Sequence, residues 1–264
     1  MDICHITLAA EEDSRLPLFA DEVAYLKALH LLGAVCVGCL ALFALVAEHL
    51  HLVVQASRGA AGRLAQAIIL SLDTVVSTPF APSHIRVVED RGHMRWLLRY
   101  VLEQAAKHGM PGHPALWIGS CLADLVSARL VGPPLCISTV LPDYSHASAL
   151  QIVGLTGSDV PPASRQALRA AGASRIKLAA AAALGVAPSL AGNRPAARLA
   201  RRASAQLAIR VGIRPGEVAA ALGRSPNTLY RLYRPEVPID VLKAVARRVT
   251  LENMVQQQLA RARK

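Results

Sequence analysis

Two histidines stand two residues apart in His49-Leu-His51, inside an apolar run that continues to Val54. Alternation of this kind reads as a β-strand. On a strand, side chains at i and i+2 leave the same face, so His49 and His51 project together while Leu50, Leu52 and Val54 point into a core. Two adjacent imidazoles can hold one divalent metal ion through neutral ring nitrogens. Taken alone, the pattern also fits two partly exposed sheet histidines. A tyrosine follows in Arg91–His108, a strongly helical segment closed by Gly109 and Pro111. There Leu97, Val101 and Ala105 form one stripe, and Trp96, Tyr100 and Gln104 the neighbouring one. Tyr100 and Gln104 thus face one direction, a turn apart. A phenol oxygen can attack phosphorus and become covalently attached. Its ordinary pKa is about 10, so at neutral pH it needs a phosphate polarised by a metal ion. A glutamine oxygen can complete the metal shell without adding charge. The plainer alternative for Tyr100 is packing at a helix–sheet boundary.

Around these residues the spacing predicts a strand over 3–9 and a helix over 21–35. Strands follow over 39–46 and 49–55, joined at Ala47-Glu48. A helix over 60–76, a short strand over 85–88 and the tyrosine helix complete the set. The order β-α-β-β-α-β-α is that of a ferredoxin-like antiparallel sheet with helices on one face, an α+β class. Residues 1–132 form this expected domain. Residues 133–195, punctuated by Pro133, Pro134, Pro142, Pro161 and Pro162, read as a connector with partial helix around 176–184. Residues 196–264 read as about four helices, an all-α helix-turn-helix domain.

Charge separates the two ends. Of the 29 Lys and Arg, 15 lie in residues 194–264, with only 4 of the 18 Asp and Glu. The whole net charge of +11 therefore sits in this segment, and residues 1–193 are neutral. A folded basic segment points to nucleic acid. Within it, Pro215 can open a helix that Gly223 ends, with Val218 and Leu222 facing inward and Ala219 and Ala220 small enough for a second helix to approach. Ser225 then caps a helix opened by Pro226, with Leu229 and Leu232 buried. Asn227, Thr228 and Arg231 project from its early turns, where base edges are read. Arg198, Arg201, Arg202, Arg224 and Arg234 suit phosphates. A small helical bundle that binds nothing is the alternative.

Cys36-Val-Gly-Cys39 has wholly apolar flanks and no second pair, which suits buried thiols better than a metal or redox site. From Ala28 to Ala47 only His30 is polar. That length can span a bilayer, but Gly33 and Gly38 interrupt it, and it reads as helix end, turn and strand. No secretory leader is read at the start, and the expectation is a cytoplasmic protein without a membrane anchor.

The stretch Leu42-Phe-Ala-Leu-Val-Ala-Glu-His-Leu-His-Leu-Val-Val54 resembles the MPNHVHLLV strand of REP-associated tyrosine transposases, the single-tyrosine His-hydrophobic-His family. Tyr100-Val-Leu-Glu-Gln-Ala-Ala-Lys-His-Gly109 is similar to that family's YIxxNPVRAG helix. His5-Ile-Thr-Leu8 resembles its opening strand, and Pro114-Ala-Leu-Trp117 with Gly119-Ser120 its WSS segment. The resemblance covers roughly residues 3–131. It implies that His49, His51 and Gln104 hold Mg2+ or Mn2+. It also implies that Tyr100 attacks a phosphate of single-stranded or hairpin DNA, giving a 5′-phosphotyrosine and a 3′-hydroxyl. The C-terminal module would then engage duplex DNA, in a monomer or homodimer. Ala47-Glu48 stands where the family has Pro-Asn, and Ala105 where it has proline. These departures and the neutral first part favour the competing expectation, a catalytically inactive transposase-derived DNA-binding regulator.

Overall fold

The computed structural model describes every residue of the chain except Met1, Glu12, Asp13, Arg15, Pro235 and Lys264. Alternating side chains make β1 (Ile3–Ala9) a strand with Cys4, Ile6 and Leu8 buried and the intervening residues partly exposed. In α1 (Glu22–Val35) the first turn is capped by Asp21, which accepts from the amide of Ala24. The apolar runs β2 (Leu40–Leu45) and β3 (His49–Gln55) form an antiparallel pair. After α2 (Arg58–Leu72), capped by Ser57, comes β4 (His84–Val87). Asp90 caps α3 (Arg91–Lys107) through the amide of His93. A 3₁₀ turn at Pro114–Leu116 and the short helices α4 (Leu122–Leu125), α5 (Ile137–Val140) and α6 (His146–Ile152) follow. The remainder is helical: α7 (Arg165–Ala183), α8 (Pro195–Arg210), α9 (Pro215–Leu222), α10 (Pro226–Tyr233) and α11 (Ile239–Ala262). The class is α+β, with one four-stranded antiparallel sheet among the described residues.

Strand order is β2-β3-β1-β4. The register opposes Thr7 to His51, Ala44 to His51, His5 to Arg86 and Thr7 to His84. Directly opposed residues share a face, so His5, Thr7, His49, His51, His84 and Arg86 all belong to one side of the sheet. The other side carries Ile6, Leu8, Leu50, Leu52 and Ile85, the first four fully buried. Helix α2 covers that apolar side: a Cβ at Gly62 would lie 3.9 Å from Ile85 Cδ1. Helix α3 lies on the histidine side. Helix α3, counted among the helices expected on one face, instead lies on the face opposite α2, a departure from that expectation.

The segment from Ala28 to Ala47 divides between α1, a turn at Gly38 with φ 72° and β2. No helix among the described residues is long and apolar enough to cross a membrane. No disulfide joins the cysteines, and burial pushes the Cys36 thiol up to about 12.

The chain divides into two compact units, Met1–Leu125 with Gly132–Ser158, and Val126–Val131 with Asp159–Lys264. Of the expected connector, residues 133–158 fall in the first unit and 159–195 in the second. Helix α7, broken at Gly172, gives Leu168, Ile176, Ala179, Ala180 and Ala183 to the core of the second unit. Ala200 and Ala203 of α8, Val218 of α9, Leu229 of α10 and Val245 and Val249 of α11 complete that core. Its abundant alanines let helix backbones approach closely.

Candidate functional site

The site is built where β3 passes under α3. His51 is 3 % exposed, and its Nδ1 lies 3.1 Å from His5 Nε2 and 3.2 Å from Thr7 Oγ1. With the proton on Nδ1, His51 donates to these β1 acceptors and keeps Nε2 as a lone-pair donor to a metal or an acceptor of a proton. Tyr100 OH stands 3.4 Å from that Nε2. Its ring packs edge-on to His51, centroids 5.0 Å apart, and stacks on Trp96 at 4.8 Å with 16° between planes. Trp96 is 53 % exposed. Lys107 Nζ lies 5.4 Å from the centroid of the Tyr100 ring, a cation–π contact.

Gln104 is fully buried, and its Nε2 donates to the Tyr100 carbonyl at 2.9 Å. This bond turns Oε1 toward His49, whose Nε2 lies 3.3 Å away. The rings of His49 and His51 are 4.6 Å apart. The four residues read from the sequence are therefore brought together: His49, His51, Gln104 and Tyr100.

Burial keeps the imidazoles neutral. His51 is lowered to about 3 by loss of solvation first, then by the neighbouring His49 and His5. His5 is lowered to about 4, again chiefly by burial. His49 is lowered by burial, partly offset by its bond to Gln104. Neutral imidazole is the form that ligates metal. Two such rings and an amide oxygen of fixed orientation make a donor set that fits a divalent ion.

Four participants were not singled out. His5 and Thr7 hold His51 from β1, but strand pairing is not visible in a local window. His108, the C-cap of α3, sits one turn beyond Gln104 with its ring 4.7 Å from that of His49. Glu48 lies beside it, its carboxylate 3.8 Å from His108 Nδ1. Glu48, His49 and His108 offer ligand atoms all within 4.8 Å of one another, a group able to hold a metal ion. The continuing i+4 series Tyr100, Gln104, His108 was the available signal.

In the second unit, Gly223 takes φ 60° and ends α9, and Ser225 Oγ accepts from the amide of Thr228 to start α10. Val218, Leu222 and Leu229 are buried as expected; Leu232 is half-buried. Ala220 is exposed, so Ala219 alone supplies the small contact. Asn227, Arg231, Arg224, Arg234 and Arg198 are exposed and Thr228 half-buried. Arg201 departs from its expected role. It is 5 % exposed, and its guanidinium donates to the carbonyls of Leu190 and Gly192, tying down the loop before α8. Arg202 donates to the Glu236 carbonyl at 2.7 Å, which leaves it half-committed inside the unit.

Compared with protein-family models, with curated proteins and with solved structures, the chain gives no match.

Proposed function

We propose that the protein is a metal-dependent single-stranded DNA nuclease and strand transferase of the single-tyrosine, His-hydrophobic-His type, with a C-terminal helix-turn-helix that engages duplex DNA. The observation that carries this reading is Tyr100 OH at 3.4 Å from His51 Nε2, on the strand that also presents His49 to Gln104. All four side chains come from one polypeptide, which supports assembly of the site within a single chain. The element order and the strand order β2-β3-β1-β4 support the ferredoxin-like reading of the sheet.

His49, His51 and Gln104 would hold Mg2+ or Mn2+, which supplies charge neutralisation and polarisation of the scissile phosphate. The chain's own groups do the rest. The Tyr100 oxygen forms a bond to phosphorus, the bond from phosphorus to O3′ breaks, and the departing O3′ takes up a proton equivalent to the one lost from the phenol. The products are a 5′-phosphotyrosine and a 3′-hydroxyl. His5 and Thr7 hold the His51 ring in place from β1. Trp96, stacked on Tyr100 and half open to solvent, offers a face on which an unpaired base can stack. Exposed Arg86 and His84 continue the same side of the sheet.

For the second unit, the turn at Gly223 between α9 and α10 and the exposed Asn227 and Arg231 support base reading, with Arg198, Arg224 and Arg234 on phosphates. The neutral charge of residues 1–193 favours the second reading, an inactive DNA-binding regulator. Incubation of the full chain with 5′-labelled hairpin and single-stranded DNA separates them. Cleavage that requires Mn2+ or Mg2+ is expected; binding without cleavage at any metal concentration would support the regulator.

A further inference from the structure

Two side chains of α3 meet the His49 ring. Gln104 Oε1 lies 3.3 Å from its Nε2, and the His108 ring stands edge-on with centroids 4.7 Å apart. Helix α3 brings both, because Gln104 and His108 are one turn apart. Glu48 arrives for a different reason: it is the residue before His49 at the start of β3, and its side chain is 76 % exposed. Its carboxylate lies 3.8 Å from His108 Nδ1, and one ligand atom from each of the three falls within 4.8 Å of the others. With metal–ligand bonds of about 2.0–2.2 Å, a small adjustment of the exposed Glu48 side chain brings three such atoms around one ion.

We propose that Glu48, His49 and His108 form a binding site for a borderline first-row divalent ion, such as Zn2+ or Co2+, an alternative to the His51–Gln104 set, because neutral His49 has one lone pair to give to either. Donor chemistry sets the preference. Two imidazoles with a carboxylate favour ions late in the first row, and the Glu48 charge adds an attraction that the neutral Gln104 amide does not give the other set. Glu48 supplies one negative charge, so the bound ion keeps a net positive charge. Three protein ligands leave at least one coordination position open to water or to a phosphate oxygen. The group is half open to solvent, so an ion reaches it without rearrangement of the core. A role of this ion in strand cleavage rests on the function proposed above; its binding does not.

The test is direct titration of the full-length chain with Zn2+ by calorimetry and with Co2+ by visible absorption, in excess Mg2+. Glu48→Gln changes an exposed side chain and leaves the fold in place, and His108→Ala removes a second ligand. Each is expected to weaken Zn2+ binding by roughly tenfold or more, the usual cost of disturbing a metal shell. Each should also remove the Co2+ bands of mixed nitrogen and oxygen ligation. His51→Ala removes the other two-histidine set, and a Zn2+ and Co2+ signal that depends on Glu48 and His108 should persist in it. Affinity unaffected in Glu48→Gln and His108→Ala, or lost only in His51→Ala, overturns the site; so does displacement of Zn2+ by equimolar Mg2+. A chain that never cleaves DNA but binds Zn2+ through Glu48 and His108 would refute the nuclease and uphold the site.

Discussion

In the proposed mechanism His51 carries most of the residue-scale chemistry. Nδ1 is engaged from β1, Nε2 faces the phenol, and burial holds the ring neutral down to about pH 3. His51→Ala is expected to lower Mn2+-dependent cleavage by at least about 10–100-fold, the cost of losing even an outer partner of a metal site. Initial rates on a labelled hairpin would show it, and an undiminished rate would remove His51 from the site. A second consequence concerns stability. In the unfolded chain His5 and His51 titrate near the ordinary value of 6.5, while in the fold they are lowered to about 4 and about 3. Between these values the unfolded state binds more protons. Stability is therefore fully present above about pH 6.5 and is lost as pH falls toward 4. Denaturant midpoints of the chelated protein from pH 7.5 downward should decline, and His51→Ala should flatten the decline.

At the scale of elements, what the sequence revealed was what local periodicity encodes. The β3 strand and the α3 helix were readable because one alternates and the other repeats at i+4, and those two elements carry His49, His51, Tyr100 and Gln104. The cap and turn residues Asp21, Ser225 and Gly223 were readable for the same reason: their chemistry is local. Hidden from such a reading was everything that depends on pairing. The register of β1 against β3 brings His5 and Thr7 to His51, and no window of the sequence contains both strands. Arg201 was misassigned because burial of an arginine is decided by carbonyls elsewhere, here those of Leu190 and Gly192. The segment after α3 is a further case. Gly119 hydrogen-bonds the β2 edge, its carbonyl accepting from the Leu45 amide at 2.9 Å, while Trp117 Nε1 donates to the Leu45 carbonyl at 2.9 Å. A Cβ at Gly119 would fall 2.2 Å from that carbonyl oxygen and 2.7 Å from the Trp117 nitrogen. Gly119→Ala should therefore cost about 1–3 kcal/mol, the range for overpacking, seen as a lowered denaturant midpoint. An unchanged midpoint would mean that this edge does not hold β2.

Across the whole molecule, function and charge are divided. A neutral first part holds the proposed chemistry, and all of the net +11 lies in residues 194–264. Affinity for duplex DNA should fall steeply with salt, as release of counterions from an arginine-rich surface requires. Arg198→Ala should weaken all sequences alike and flatten the salt slope by about one unit. Arg231→Ala should instead cost about 1–3 kcal/mol on the preferred sequence and relax specificity. Arg201→Ala should act on stability, since its guanidinium serves the loop before α8. Fluorescence anisotropy across a salt series distinguishes the three variants, and equal effects of Arg198→Ala and Arg231→Ala on all sequences would contradict base reading by α10. The central claim is that Tyr100 becomes joined to DNA. Mass spectrometry of the full-length protein, digested after incubation with hairpin single-stranded DNA and Mn2+, tests it most directly. The account predicts a nucleotide adduct on the peptide containing Tyr100 and none in Tyr100→Phe, which should still bind the DNA. An adduct on another residue, or one that persists in Tyr100→Phe, would contradict it.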